Sequence, residues 1–185
     1  VNSAGSPAND PSFSPVISAD GRYVGFESLA SNLVERDENR ARDAFVHDLL
    51  THQTIAVSTT LAGVTGNSDS FVGGFSGDGR FISLHSHATD IDSGPGNDGG
   101  PHRAVMVRSW QSPESAGHRV SVNAAGMTGD GDSQVGFQSL SADGRYVALR
   151  SGSDDLVPDD TNAVQDIFLV DRGVLSGTVA ITIAP

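Results

Sequence analysis

Ser18-Ala19-Asp20-Gly21-Arg22-Tyr23-Val24 returns twice in this chain, as Ser76-Gly77-Asp78-Gly79-Arg80-Phe81-Ile82 and as Ser141-Ala142-Asp143-Gly144-Arg145-Tyr146-Val147. Each copy sets a polar Asp-Gly pair between two short apolar runs. That pattern specifies a β-hairpin, because glycine takes the positive φ of a tight reversal without strain. The copies recur about 60 residues apart, so the chain reads as three versions of one structural unit.

Working outward from the first copy, residues 15–18 and 22–28 make the hairpin. Val24 and Phe26 share one face; Tyr23, Gly25 and Glu27 share the other. A polar excursion over 31–42 leads to a third strand at 44–49 and a fourth at 54–58. The second unit repeats this at 74–76, 80–86, 104–108 and 119–123, with an expanded loop at 109–117 that carries the single tryptophan, Trp110. The third unit follows at 140–141, 145–151, 167–171 and 178–183. Linkers are copies too, since Ala62-Gly63-Val64-Thr65-Gly66 matches Ala125-Gly126-Met127-Thr128-Gly129. No helical periodicity is present. The reading is all-β: one repeat domain over 1–185, with units at about 12–60, 70–123 and 135–183. In this register Arg103 and Arg108 stand where the first unit has Asp43 and Asp48.

Composition agrees with short strands and many turns, at 37% hydrophobic residues, 22 glycines and 8 prolines among 185 residues. The formal net charge is −12 and every Lys/Arg-type residue is arginine. Such a balance argues against nucleic acid, whose binding depends on neutralising phosphates, and against anionic membranes; it is compatible with cation binding. Cysteine is absent, which excludes disulfides, thiolate metal sites and cysteine nucleophiles. No apolar run approaches a membrane-spanning length. Val1-Asn2-Ser3-Ala4-Gly5 reads as the middle of a repeat, as in a mature product or a fragment.

The hairpin, followed by Asp43-Ala44-Phe45-Val46-His47-Asp48-Leu49 and a Thr54-to-Ser58 strand, resembles the TolB-type β-propeller repeat. The third unit matches with Asp166-Ile167-Phe168-Leu169-Val170-Asp171. The resemblance implies four-stranded antiparallel blades whose first strands line a central channel, and an exported or periplasmic location. It also implies a non-enzymatic module that binds or assembles protein or glycan, or else an accessory propeller of a larger secreted enzyme. Propellers close with four to eight blades. Three blades therefore call for a homodimer that completes a six-bladed ring, or for further blades in a longer chain. A β-trefoil also holds three four-stranded units and is the alternative fold, with lectin-like function.

Several residue sets invite a functional reading. Asp37, Asn39 and Asp43 in the first unit, and Asp160, Asn162 and Asp166 in the third, follow one pattern, D-x-N-x-x-x-D. Oxygen donors at such spacing suit Ca²⁺; the same residues also make Asx turns that cap backbone amides. Arg22, Arg80 and Arg145 face carboxylates such as Asp48 and Asp171 as ion pairs, or form an anion-binding ring. Glu27, His85 and Arg150 occupy one hairpin position with three different ionisable groups, which points to a solvent-accessible channel or ligand surface. His85 and His87 share a strand face near His102 and His118, but two ligands make no zinc site without a third. Trp110 lies on a loop suited to a partner or to covering its own blade. For nucleophilic catalysis no G-x-S-x-G elbow is present.

Overall fold

A computed structural model of the chain describes residues 1–91, 102–111, 117–173 and 179–183. Among the described residues twelve strands form three separate four-stranded sheets, each an antiparallel meander. The first blade holds β1 (Ser12–Ile17), β2 (Tyr23–Ser28), β3 (Asp43–Asp48) and β4 (Thr54–Ala56). The second holds β5 (Ser70–Phe75), β6 (Phe81–Ser86), β7 (Ala104–Ser109) and β8 (His118–Arg119). The third holds β9 (Ser133–Gln134), β10 (Tyr146–Ser151), β11 (Asp166–Asp171) and β12 (Val179–Ile183). Among the described residues there is no helix. A β-trefoil would close its strands into a shared barrel, so three separate stacked sheets set that alternative aside.

The repeated turn owes its form to one small network. Ser18 O accepts the Gly21 N–H at 2.9 Å, and Gly21 sits at φ 72°. Asp20 Oδ1 accepts from Ser18 Oγ at 2.6 Å and from the Arg22 N–H at 3.0 Å, while Ser18 Oγ accepts the Tyr23 N–H at 2.9 Å. Ser76, Asp78 and Arg80 repeat these bonds, as do Ser141, Asp143 and Arg145. The serine thus satisfies a backbone donor that the turn would otherwise strand.

First strands start earlier than expected, at Ser12 and Ser70 rather than at 15 and 74. Each opens on a serine pair across the sheet: Ser12 with Ser28 at 3.0 Å, Ser70 with Ser86 at 2.8 Å and Ser133 with Ser151 at 2.8 Å. In the third blade the stretch from Ser133 to Ser141 is two residues longer than its counterpart from Ser70 to Ser76, and β9 breaks after Gln134. Leu140 keeps only a single bridge to Val147.

Strand register corrects the expected correspondence of the second blade by one residue. Ser28 faces Asp43, Ser86 faces Ala104 and Ser151 faces Asp166. Arg103 therefore matches Arg42, and Arg108 matches His47; the two aspartates are replaced by Ala104 and Ser109.

The two larger cores lie between blades, and smaller ones form within the first blade around Phe45 and within the second around Leu84 and Met106. Tyr23, Val46 and Val57 of the first pack on Val72, Ile82 and Trp110 of the second, and Val105, Val107 and Val120 pack on Val147, Leu149 and Phe168 of the third. Approach is close enough that a Cβ on Gly25 would sit 2.8 Å from Val16 Cγ2 and 3.3 Å from Ile82 Cδ1. Beyond the third blade this stacking stops, and β10 alternates exposed and buried residues along its length.

Replacing Ser18 by alanine leaves the buried Tyr23 N–H without its acceptor. We expect Ser18→Ala to cost about 1–3 kcal/mol, read as a lower urea midpoint at unchanged m-value.

Candidate functional site

Glu27 and His85 sit inside blade junctions, not on an open face, at 3% and 9% exposure. Glu27 Oε1 accepts the Val72 N–H at 3.1 Å, and His85 Nδ1 accepts the Val135 N–H at 3.4 Å. Each is the acceptor by which one blade takes an amide from the first strand of the next. Arg150, at the same position of the third blade, is exposed and donates from Nη2 to Gln134 Oε1 at 2.6 Å. Burial, with Arg103 and Arg150 nearby, pushes the His85 imidazole down to about 4, so it is neutral and able to accept.

Both residues line one cleft of about 240 Å³ on the concave side of the arc. It draws on the first-strand segment of every blade: Ser14 from the first, Phe71 and Val72 from the second, Val135 and Phe137 from the third. Arg42 completes it. Its guanidinium lies 4.4 Å from the Phe13 ring centre and 5.3 Å from that of Phe71, and its Nη1 reaches Glu27 Oε2 at 3.4 Å. The Arg103 guanidinium lies 5.7 Å from the Phe71 ring centre, and the His85 ring stacks on Phe71 at 5.0 Å and 16°. Phe13 and Phe71 are equivalent, as are Arg42 and Arg103, so the arrangement is a repeated one. Sequence reading missed these four residues, because the one-residue misalignment of the second unit paired Arg103 with Asp43 and hid its match to Arg42.

The D-x-N-x-x-x-D loops hold themselves together. Asn39 donates to Asp43 Oδ2 at 2.7 Å and accepts the Ala41 N–H at 2.7 Å; it also donates to Gly66 O. Asp43, fully buried, accepts Ser58 Oγ at 2.6 Å. Asn162 repeats the pattern on Asp166 at 2.8 Å and on the Val164 N–H at 3.0 Å. Burial raises the Asp37 carboxyl against the opposing hydrogen bond from Thr65 Oγ1, while Asp160 is half-buried. Asp166 Oδ1 is buried with no partner among the described residues. Among those residues no three His, Asp or Glu side chains converge to hold a metal ion. His87 Nε2 accepts from Arg103 Nε at 3.2 Å, so the histidines of the second blade serve hydrogen bonds.

The arginines of the repeated turn are gripping residues. Arg22 takes Asp48 with Nε and Nη2 at 3.0 and 2.7 Å, and Arg145 takes Asp171 with the same edge at 2.7 Å each. Arg22 thereby holds Asp48 well below the usual carboxylate range, and Arg145 holds Asp171 down to about 2. Arg80, facing Ser109 instead, turns back to Asp78 at 2.7 Å. Trp110 is buried, 4.4 Å edge-on to Tyr23, with Nε1 donating to Gly79 O at 3.0 Å. It clasps two blades; residues 112–116 of its loop lie outside the described residues.

Burial raises Asp43 to about 7. The folded chain then binds a proton that the unfolded chain releases above its ordinary carboxyl range, so stability present in acid is lost as pH climbs from about 4 to 7. His85 runs the other way, losing stability as pH falls from about 6.5 to 4. We expect Asp43→Asn to raise the melting temperature at pH 8, by at most about 4 kcal/mol in stability, and to leave an acid-side decline from which Asp43→Asn/His85→Gln removes the part between about pH 6.5 and 4, the part due to Asp48 and Asp171 remaining at lower pH. Melting curves across pH check both. Chelator is expected to leave the melting temperature of the wild type unchanged, as the Asx bonds already occupy these loops.

No protein-family profile matches this chain, and no curated protein does. Solved structures do match. TolB from Acinetobacter baumannii superposes with a TM-score of 0.52 at 18% identity, over 96% of this chain and 33% of that one. A putative TolB from Agrobacterium tumefaciens gives 0.51 at 13%, over 95% and 62%. A prolyl endopeptidase gives 0.51 at 13%, over 94% and 22%. The chain thus spans less than two thirds of each of these proteins. At such identities the likeness is one of fold, and it agrees with the stacked four-stranded sheets and their repeated turns. The chain has the TolB-type β-propeller fold, as an arc of three blades.

Proposed function

We propose that this chain is a non-enzymatic β-propeller module for binding and assembly of a protein or glycan ligand. It works outside the cytoplasm, in the periplasm or beyond, as the TolB resemblance implies. One observation carries the assembly reading: both ends of the arc expose apolar residues at positions that are buried in the internal junctions. Ile17, Val24 and Leu49 of the first blade match Phe75, Ile82 and Trp110, which pack on the preceding blade; Ile17 is 65% and Leu49 48% exposed. At the other end Tyr146 and Ile167 match Tyr23 and Ala44, and Ile167 is 48% exposed. A second copy offers each end its complement. Two arcs related by a two-fold axis close a six-bladed ring in which the third blade of one copy packs on the first blade of the other.

A second reading has support in the share of the prolyl endopeptidase that the chain spans, 22%: this module is then an accessory part of a larger secreted enzyme, with the missing blades in the same polypeptide.

Light scattering on the chain is expected to give twice the chain mass, and Tyr146→Glu or Ile167→Glu to return it to monomer without loss of β-structure. A monomer that persists at high concentration refutes the ring.

A further inference from the structure

Arg42 is held differently from the other paired arginines. Its backbone N–H goes to Asp69 Oδ1 at 2.9 Å and its Nη1 to Glu27 at 3.4 Å. Nε and Nη2 have no hydrogen-bond partner among the described residues. That is the same edge by which Arg22 and Arg145 each take a carboxylate in two parallel bonds. The planar group is fixed between Phe13 and Phe71, so its orientation is set before any ligand arrives. Side-chain exposure is 31%, enough for access. A fixed guanidinium with this edge free is the donor geometry of bidentate carboxylate recognition.

The rest of the cleft restricts what carries the carboxylate. Phe71, Val72, Val135 and the exposed Phe137 give it an apolar wall, whose side chains offer no hydrogen bond to a sugar hydroxyl. Ser14 is its small polar group. Glu27, the carboxylate that faces Arg42, is already committed to Nη1 and to the Val72 N–H. Arg103, although paired with Asp132 at 3.5 Å, and Arg150 add positive potential on this side of an acidic protein.

We propose that Arg42 anchors a site for a peptide carboxylate, with an apolar side chain next to it lying on the exposed ring of Phe137. A chain-terminal carboxylate following an apolar residue fits this chemistry. The inference rests on the ligand-binding part of the proposed function and is independent of ring closure.

The probe is N-acetyl-L-phenylalanine, titrated into ¹⁵N-labelled protein and followed by amide shifts, with N-acetyl-L-phenylalaninamide and D-glucuronate as controls. Val72, Val135 and Phe137 amides are expected to shift with the acid, and the amide to bind about tenfold more weakly or worse. Arg42→Lys keeps the charge but not the fork and is expected to lose about tenfold as well; Arg42→Gln abolishes the shifts while its amide spectrum stays that of the folded protein. Equal binding of acid and amide at these residues overturns the carboxylate while the concave side remains a ligand surface. Glucuronate binding as tightly as the acid overturns the peptide assignment. No shift at these three amides overturns the site itself. Wild-type affinity in Arg42→Lys overturns the fork.

Discussion

A four-stranded blade has two faces and no means of burying both. Everything regular in this chain follows from that constraint. Strand alternation puts apolar residues on both sides of β2, β3, β6 and β7, and each side needs another sheet. The chain meets the need by stacking blade on blade, so its two larger hydrophobic clusters lie between units, while two smaller ones cover the loop side of the first and second blades. Water removed from these junctions supplies the main driving force. The repeated turn, the serine pairs and the linkers serve to present each blade in the same pose to its neighbour.

The same constraint explains which residues at the junctions vary. Position 27, 85 or 150 must accept an amide from the following blade, and chemically different acceptors can do so. A carboxylate serves in Glu27 and a neutral imidazole in His85. Arginine has no acceptor, and Arg150 stands where the described chain has no following blade. Trp110 and Arg172 show the same tolerance one layer out. Trp110 Nε1 and Arg172 Nη1 both donate to the glycine carbonyl of their own repeated turn, and each lies against an aromatic ring of the preceding blade, Tyr23 or Phe81. Shape and one donor are conserved there while side-chain chemistry is not.

Much of this was legible in the sequence because turn chemistry is local. Ser-x-Asp-Gly-Arg specifies its own hydrogen bonds within five residues, and its three copies set the strand count and the fold. Ion pairs Arg22–Asp48 and Arg145–Asp171 were legible for a related reason, since an arginine and an aspartate recur 26 residues apart in the two units, at facing ends of adjacent strands. What escaped was non-local. The first strands open on Ser12, Ser70 and Ser133, polar residues that give no apolar signal until their partners across the sheet are known. Asp43 and Asp48 have no acidic counterpart in β7, and the nearest charged residues, Arg103 and Arg108, drew the alignment one position off. The cleft depends on three first strands from three blades, a proximity that no sequence window contains. Trp110 was read as a loop residue because its loop is long; its ring turns inward because Tyr23 and Phe75 leave space that only a large side chain fills.

The exclusive use of arginine acquires a physical reason in this architecture. A lysine ammonium is a point charge on a flexible stem, whereas guanidinium is a plane with donors along its edges. Blade junctions present flat aromatic rings and backbone carbonyls. Arg42 and Arg103 lie over Phe71, Arg172 over Phe81, and Arg108 Nη1 crosses to Val57 O and Thr59 O of the preceding blade at 2.9 and 2.8 Å. The Arg42, Arg108 and Arg172 contacts join two units through a stacked plane or a forked edge, and Arg103, over a ring of its own blade, reaches the next unit at Asp132. In a chain whose net charge is −12, these four arginines are therefore not solvated counter-charges but placed where one blade meets the next, whereas Arg22, Arg80 and Arg145 pair within their own blades. Arg42 belongs to that series through its face, and only its outer edge remains for something else to bind.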